Sequence, residues 1–218
     1  MDTDAFWHLI ETARSRATES GTFDEALVDL LALRSEREVL AYQERFEELL
    51  GALYRWDVWA AADLIGGGCS DDGFTDFRAG VIAQGRTWYE RVAADPDSLA
   101  GHPLVAAAAG AGDRHVLFYE AVNYVAPAAF ERLTGDEEDF YAAWERWGWE
   151  ARPGDAAATD IAAGTDMGED VDVRDADQVH RRLPRLAALH LPADLAPRGP
   201  RTPTGPTASD GTHGRTAG

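Results

Sequence analysis

At 218 residues, with 45% hydrophobic composition and seven tryptophans, the chain can build one substantial core, burying about two thirds of its unfolded surface. Its 39 acidic residues against 20 arginines, with no lysine, give a net charge of −19, a field that repels nucleic-acid backbones and anionic membranes. The only cysteine, Cys69, excludes an intrachain disulfide and suits a reducing compartment.

The first predicted helix runs from Asp4 to about Ala17, with Thr3 as its cap and Phe6, Leu9, Ile10, Ala13 and Ala17 at helical spacing. A second begins at Thr22, where Thr22 and Glu25 form a capping box, and a third at Ser35, capped reciprocally with Glu38. Phe23, Ala26, Leu27, Leu30 and Leu31 line the one, and Val39, Tyr42, Phe46, Leu49, Leu50 and Leu53 the other. Trp56 to Ile65, rich in Trp and Ala, reads as a buried helix stopped by Gly66-Gly67-Gly68. A loop over Cys69 to Gly73 leads into a helix from Phe74 to about Gln84, which Gly85 ends or kinks. Arg86 to Ala93 stays helical in pattern, and Asp95-Pro96-Asp97-Ser98 is a turn.

Pro103 to Gly112, an Ala/Gly run, has no clear assignment. His115 to Leu133 is helical in pattern, with Pro127 bending or dividing it. Asp136 to Trp147 forms an acidic-start helix with Phe140, Tyr141 and Trp144 inward. Composition then shifts. The expected organisation is a helical domain at 1–150, an acidic loop at 151–179, a docking segment at 180–191 and a disordered tail at 192–218. Leu183, Leu186 and Leu189 recur every three residues in the docking segment, and Pro184 suits a first helical turn. No segment alternates with period two and no internal repeat appears, so the fold class is all-α: a compact multi-helix single domain. No run approaches the roughly 18–20 apolar residues of a membrane span, and the Met-Asp-Thr-Asp start lacks a signal-like pattern. A cytoplasmic location is expected.

The densest cluster of unusual residues is Gly66 to Arg78, followed by Arg86. Cys69, Asp71, Asp72, Asp76, Arg78 and Arg86 are the candidate ligand- or partner-binding residues. As a site, Arg78 and Arg86, eight residues apart on one face, would receive an anion. As scaffold, Asp72 caps a helix, Asp71 or Asp76 pairs with an arginine, and the glycines make a turn. Cys69 lacks an evident base, and no histidine pair has zinc spacing. The phosphate-loop frame is missing, since there is no lysine, and the aspartates lack EF-hand spacing. No metal or cofactor is expected. The composition favours a non-catalytic acidic module with a basic protein partner, ahead of a small-ligand binder or enzyme built on 66–86.

The chain resembles a bacterial family, the domain-of-unknown-function family 4240. The resemblance rests on Phe6-Trp7-x-Leu9-Ile10, on Leu53-Tyr54-Arg55-Trp56-Asp57, and most strongly on Leu64 through Arg78 and on to Gly85-Arg86. It spans about residues 4–150 and resumes at Leu183-Pro184-Arg185-Leu186. It implies a helical bacterial protein and carries no activity or catalytic residue. Members usually have a larger residue where this chain has Ala187, which implies weaker C-terminal docking. The all-arginine, alanine-rich usage resembles that of a GC-rich actinobacterium.

Overall fold

The computed structural model describes residues 1–17, 21–151 and 166–192, and no strand occurs among them. The expected tail from 192 lies, beyond Pro192, outside the described residues, as do 152–165 of the expected loop.

Helix α1 (Thr3–Arg16) is capped by Asp2 rather than Thr3: the Asp2 carboxylate accepts the Ala5 N–H at 2.7 Å. Both capping boxes form, Thr22 with Glu25 opening α2 (Phe23–Leu31) and Ser35 with Glu38 opening α3 (Glu36–Ala52). Satisfying two otherwise orphaned N–H groups reciprocally is what makes these starts sharp. Phe6 of α1 stacks on Tyr42 of α3 at 5.1 Å, and Tyr42 on Phe46 at 6.1 Å, in the centre of the core. Helix α4 (Trp56–Gly66) ends where Gly67 takes a left-handed conformation.

Helix α5 begins at Asp71, not Phe74, and runs to Ala83, because the Ser70 hydroxyl accepts the Gly73 N–H at 3.1 Å. Ser70 is therefore the cap, and Asp72 sits in the first turn. Gly85 ends the helix, since its φ of 87° is a value that side-chain-bearing residues rarely adopt. Helix α6 (Arg86–Ala94) starts afresh, and Pro96–Gly101 forms a 3-10 helix.

The run left unassigned, Pro103–Ala111, is helix α7, capped by the His102 ring and closed by Gly112. The helical pattern expected from His115, bent or divided at Pro127, does not form as such. A loop carries the chain to a 3-10 helix at Glu120–Tyr124, and α8 spans Val125–Thr134. Pro127 neither bends nor divides it, because in the first turn its missing N–H is an orphan anyway. Packing decides the loop: Gly80 lets the backbone of Leu117 lie directly on α5, where a Cβ would sit 1.7 Å from the Leu117 oxygen. Helix α9 (Glu138–Ala151) buries Phe140 but leaves Tyr141 46% exposed, contrary to the inward position expected for it.

The acidic stretch expected as loop through 179 becomes helix α10 at Ala176–Arg182, followed by α11 at Pro184–His190. Leu183, Leu186 and Ala187 are buried while Leu189 turns outward, because the helical repeat places position 187, not 189, on the face shared with 183. Helix α11 lies against the Pro96–Gly101 helix, α4 and α7. There Asp97, 4% exposed, accepts the N–H groups of Arg185 at 3.0 Å and Leu186 at 2.9 Å and the Arg185 Nε at 3.0 Å. A carboxylate 88 residues upstream thus caps the N-terminus of α11. Helices α1, α2, α3, α8 and α9 form one end of the body, and α4, α7, α10 and α11 the other. Helix α5, packed on α3, α4, α6 and the Glu120–Tyr124 helix, joins them.

Candidate functional site

The glycine–aspartate segment is held closely by its neighbours. The Asp63 carboxylate accepts the Cys69 N–H at 3.1 Å, and Trp59 stacks on Phe74 with ring centres 4.4 Å apart. Arg78 is 7% exposed and donates to the carbonyls of Leu50 at 2.9 Å and Phe74 at 3.3 Å and to the Thr75 hydroxyl at 3.1 Å. Its guanidinium also lies over the rings of Phe74 and Tyr54, 4.7 and 5.0 Å from their centres. Burial holds its pKa below the ordinary arginine value. Arg86, beyond the break at Gly85, is exposed and bonds Glu90 at 2.7 Å and Asp4 at 2.8 Å. The two arginines therefore share no helical face, and each already meets acceptors of its own.

Cys69 is half-buried, and its thiol is pushed up to about 12, first by burial and then by the charges of Asp63, Asp71 and Asp76. It stays protonated at neutral pH, the opposite of what a nucleophilic cysteine requires. Asp71 faces solvent at the start of α5.

Asp72 and Asp76 behave differently. With Thr75 they form one face of α5, at spacing i, i+3 and i+4, and that face lines a cleft of about 440 Å³. Gln43, Glu47 and Leu50 of α3 form the opposite wall, and Glu120, Asn123 and Tyr124 close the end from the 3-10 helix. Four carboxylates thus face a cleft whose lining holds no arginine. Asp72, Asp76 and Glu120 make no ion pair among the described residues. Asp76 shows the consequence: burial, then the charges of Glu120 and Asp72, raise its pKa above the ordinary carboxylate value, although Asn123 donates to it at 2.9 Å. The Asn123 carbonyl oxygen is buried and accepts no hydrogen bond, and the ring of Tyr124 is 53% exposed at the rim. Carboxylates and an unused carbonyl give the cleft hydrogen-bond acceptors, which suit a cationic group chemically. No group of three or more His, Cys, Asp or Glu side chains among the described residues is disposed to hold a metal ion.

Sequence reasoning pointed to Asp72 and Asp76 but not to their partners. Glu120, Asn123 and Tyr124 share the same helical spacing, a signal hidden inside what read as one long helix.

The family model described as "Protein of unknown function (DUF4240)" matches residues 1–132. The chain belongs to the DUF4240 family. The match covers α1 through most of α8 and every element of the cleft, and ends before α9, short of the span to about 150 expected from sequence. No curated protein and no solved structure matches this DUF4240 chain. Nor is any helix among its described residues long and apolar enough to cross a membrane.

Proposed function

We propose that this DUF4240 protein is a non-catalytic, acidic binding module of the cytoplasm, and that a basic protein partner inserts a cationic side chain into the cleft between α3, α5 and the 3-10 helix. The observation that carries the reading is the grouping of Asp72, Asp76 and Glu120 on that cleft with no ion pair among the described residues; burial, then the charges of Glu120 and Asp72, raises the pKa of Asp76. A guanidinium or ammonium group placed there relieves the repulsion and gains charge-assisted hydrogen bonds, each about 1.5–3 kcal/mol before desolvation is subtracted. The net charge of −19 adds long-range attraction for a basic surface and speeds encounter. The protonated thiol of Cys69 and the internally bonded Arg78 support binding rather than catalysis in this segment.

The test compares the wild-type protein with an Asp72→Asn, Asp76→Asn, Glu120→Gln variant as affinity baits in lysate of the source organism. Basic proteins retained by the wild type and lost by the variant, with retention falling as salt rises, are the expected result. If both baits retain the same proteins, the cleft is not the binding surface and the proposal fails.

A further inference from the structure

Helices α1, α3 and α9 meet around a second cleft, of about 430 Å³, which shares no lining residue with the acidic one. Arg34, just before α3, and Arg37, in its first turn, line this cleft together with Trp147 of α9. Two carboxylates line it as well, but both are already committed. Asp2 accepts the Ala5 N–H at the start of α1. Glu38 accepts the Ser35 N–H at 3.0 Å, the Ser35 hydroxyl at 2.8 Å and the Arg34 guanidinium at 3.2 Å, and these bonds hold its pKa below the ordinary carboxylate value.

Arg37 is different. It is exposed, and among the described residues it makes no hydrogen bond and no ion pair, in a chain that carries 39 acidic residues. Its guanidinium lies instead over the ring of Trp147, 5.4 Å from the ring centre. Such a contact orients the planar fork while leaving its N–H groups available. The indole N–H of Trp147 is buried and also lacks an acceptor. Native proteins rarely leave a buried donor in that state, which points to an acceptor supplied from outside the chain.

Charge sets the class of ligand. Glu38 neutralises Arg34, and Asp2 faces the positive end of α1, so Arg37 holds the one uncommitted charge of the cleft. That balance matches a single negative charge, and a guanidinium fork matches a carboxylate. Ala5, Ala41 and the indole supply an apolar lining, and the volume suits a small molecule rather than a segment of a protein.

We infer that this cleft binds a small organic monocarboxylate with an apolar body. The carboxylate pairs with the Arg37 guanidinium, and the body lies against Trp147, Ala5 and Ala41. The acidic cleft is built from other residues, so this site stands or falls independently of what that cleft binds.

Titrating benzoate, acetate, benzamide and inorganic phosphate into the isotope-labelled full chain tests the inference. The readout is the indole N–H resonance of Trp147, assigned by its absence from Trp147→Phe. Benzoate should shift that resonance saturably, with half-saturation at about 1 mM or below. Acetate lacks the body, benzamide lacks the charge, and phosphate lacks the body and carries more charge. Each should bind at least about tenfold more weakly than benzoate. Arg37→Gln should weaken benzoate by about tenfold or more, and Arg37→Lys several-fold, because an ammonium lacks the bidentate fork. Both replace an exposed side chain and should keep the helical circular dichroism of the wild type. No saturable shift with benzoate up to about 10 mM overturns the inference. So does benzamide binding as tightly as benzoate, or Arg37→Gln binding benzoate as tightly as the wild type.

Discussion

Replacing Asp97 by Ala removes the acceptor that holds α11 on the body. Its carboxylate takes two backbone N–H groups and the Arg185 Nε, and the Leu186 N–H among them is buried. Loss of a helix cap costs about 0.5–2 kcal/mol, and leaving a buried donor unsatisfied costs about 1–3 kcal/mol. The ion pair contributes little, about 1 kcal/mol or less, because the Arg185 side chain is 54% exposed and solvent screens it. These contributions share one carboxylate and do not add in full, so the expected loss for Asp97→Ala is about 2–4 kcal/mol. Arg185→Ala, which keeps the backbone bonds, should lose about 1 kcal/mol or less. Urea denaturation measures both, and amide hydrogen exchange at Leu186 and Ala187 shows whether α11 detaches before the body unfolds. A loss below about 0.5 kcal/mol for Asp97→Ala, with Leu186 as protected as in the wild type, would refute the capping argument. Burial of Leu183, Leu186 and Ala187 would then suffice to hold the segment.

Arg78→Ala should cost about 3 kcal/mol in urea denaturation, since it removes the charge-assisted bond to the Leu50 carbonyl and empties the space beside the rings of Tyr54 and Phe74. A near-neutral result would show that Arg78 is not a strut. Tyr42→Phe should stabilise by about 1 kcal/mol, because the Tyr42 hydroxyl is buried without a hydrogen-bond partner and the ring stack survives the change. Gly80→Ala should cost at least about 3 kcal/mol or prevent folding, as its Cβ meets the Leu117 backbone and no side chain can move aside. His102 accepts the Leu104 N–H through Nδ1, and burial, then the charge of Arg14, lowers its pKa from the ordinary 6.5. The unfolded chain therefore takes up the proton first. The contribution of His102 to stability is full above about pH 6.5 and is lost as pH falls toward the folded-state value. Thermal melts across that window should show a steeper acid decline for the wild type than for His102→Asn, which keeps a capping side chain without titrating.

Much of this molecule was determined by the sequence alone. The capping boxes at Thr22 and Ser35, the stop at Gly66-Gly67-Gly68 and the inward Phe6, Tyr42 and Phe46 are local matters. Each is decided by hydrogen-bonding groups or apolar spacing within one or two turns. Helix α5 starts three residues before Phe74 because Ser70 and Asp72 are both competent caps, and only the final backbone geometry selects Ser70.

What the tertiary structure decided involves residues far apart in the chain. Leu117 breaks the helical pattern that starts at His115 because its backbone settles on Gly80, and the burial of Leu117 offsets its left-handed φ of 69°. Asp97 caps a helix 88 residues away, and its hydrogen bonds anchor the segment whose Leu183, Leu186 and Ala187 are buried. The cleft exists only because α3, α5 and the Glu120–Tyr124 helix bring four carboxylates together without an arginine among them. Local spacing sets which face each of those side chains occupies. Long-range packing sets which faces meet, and so where Asp72, Asp76 and Glu120 gather with no ion pair among the described residues.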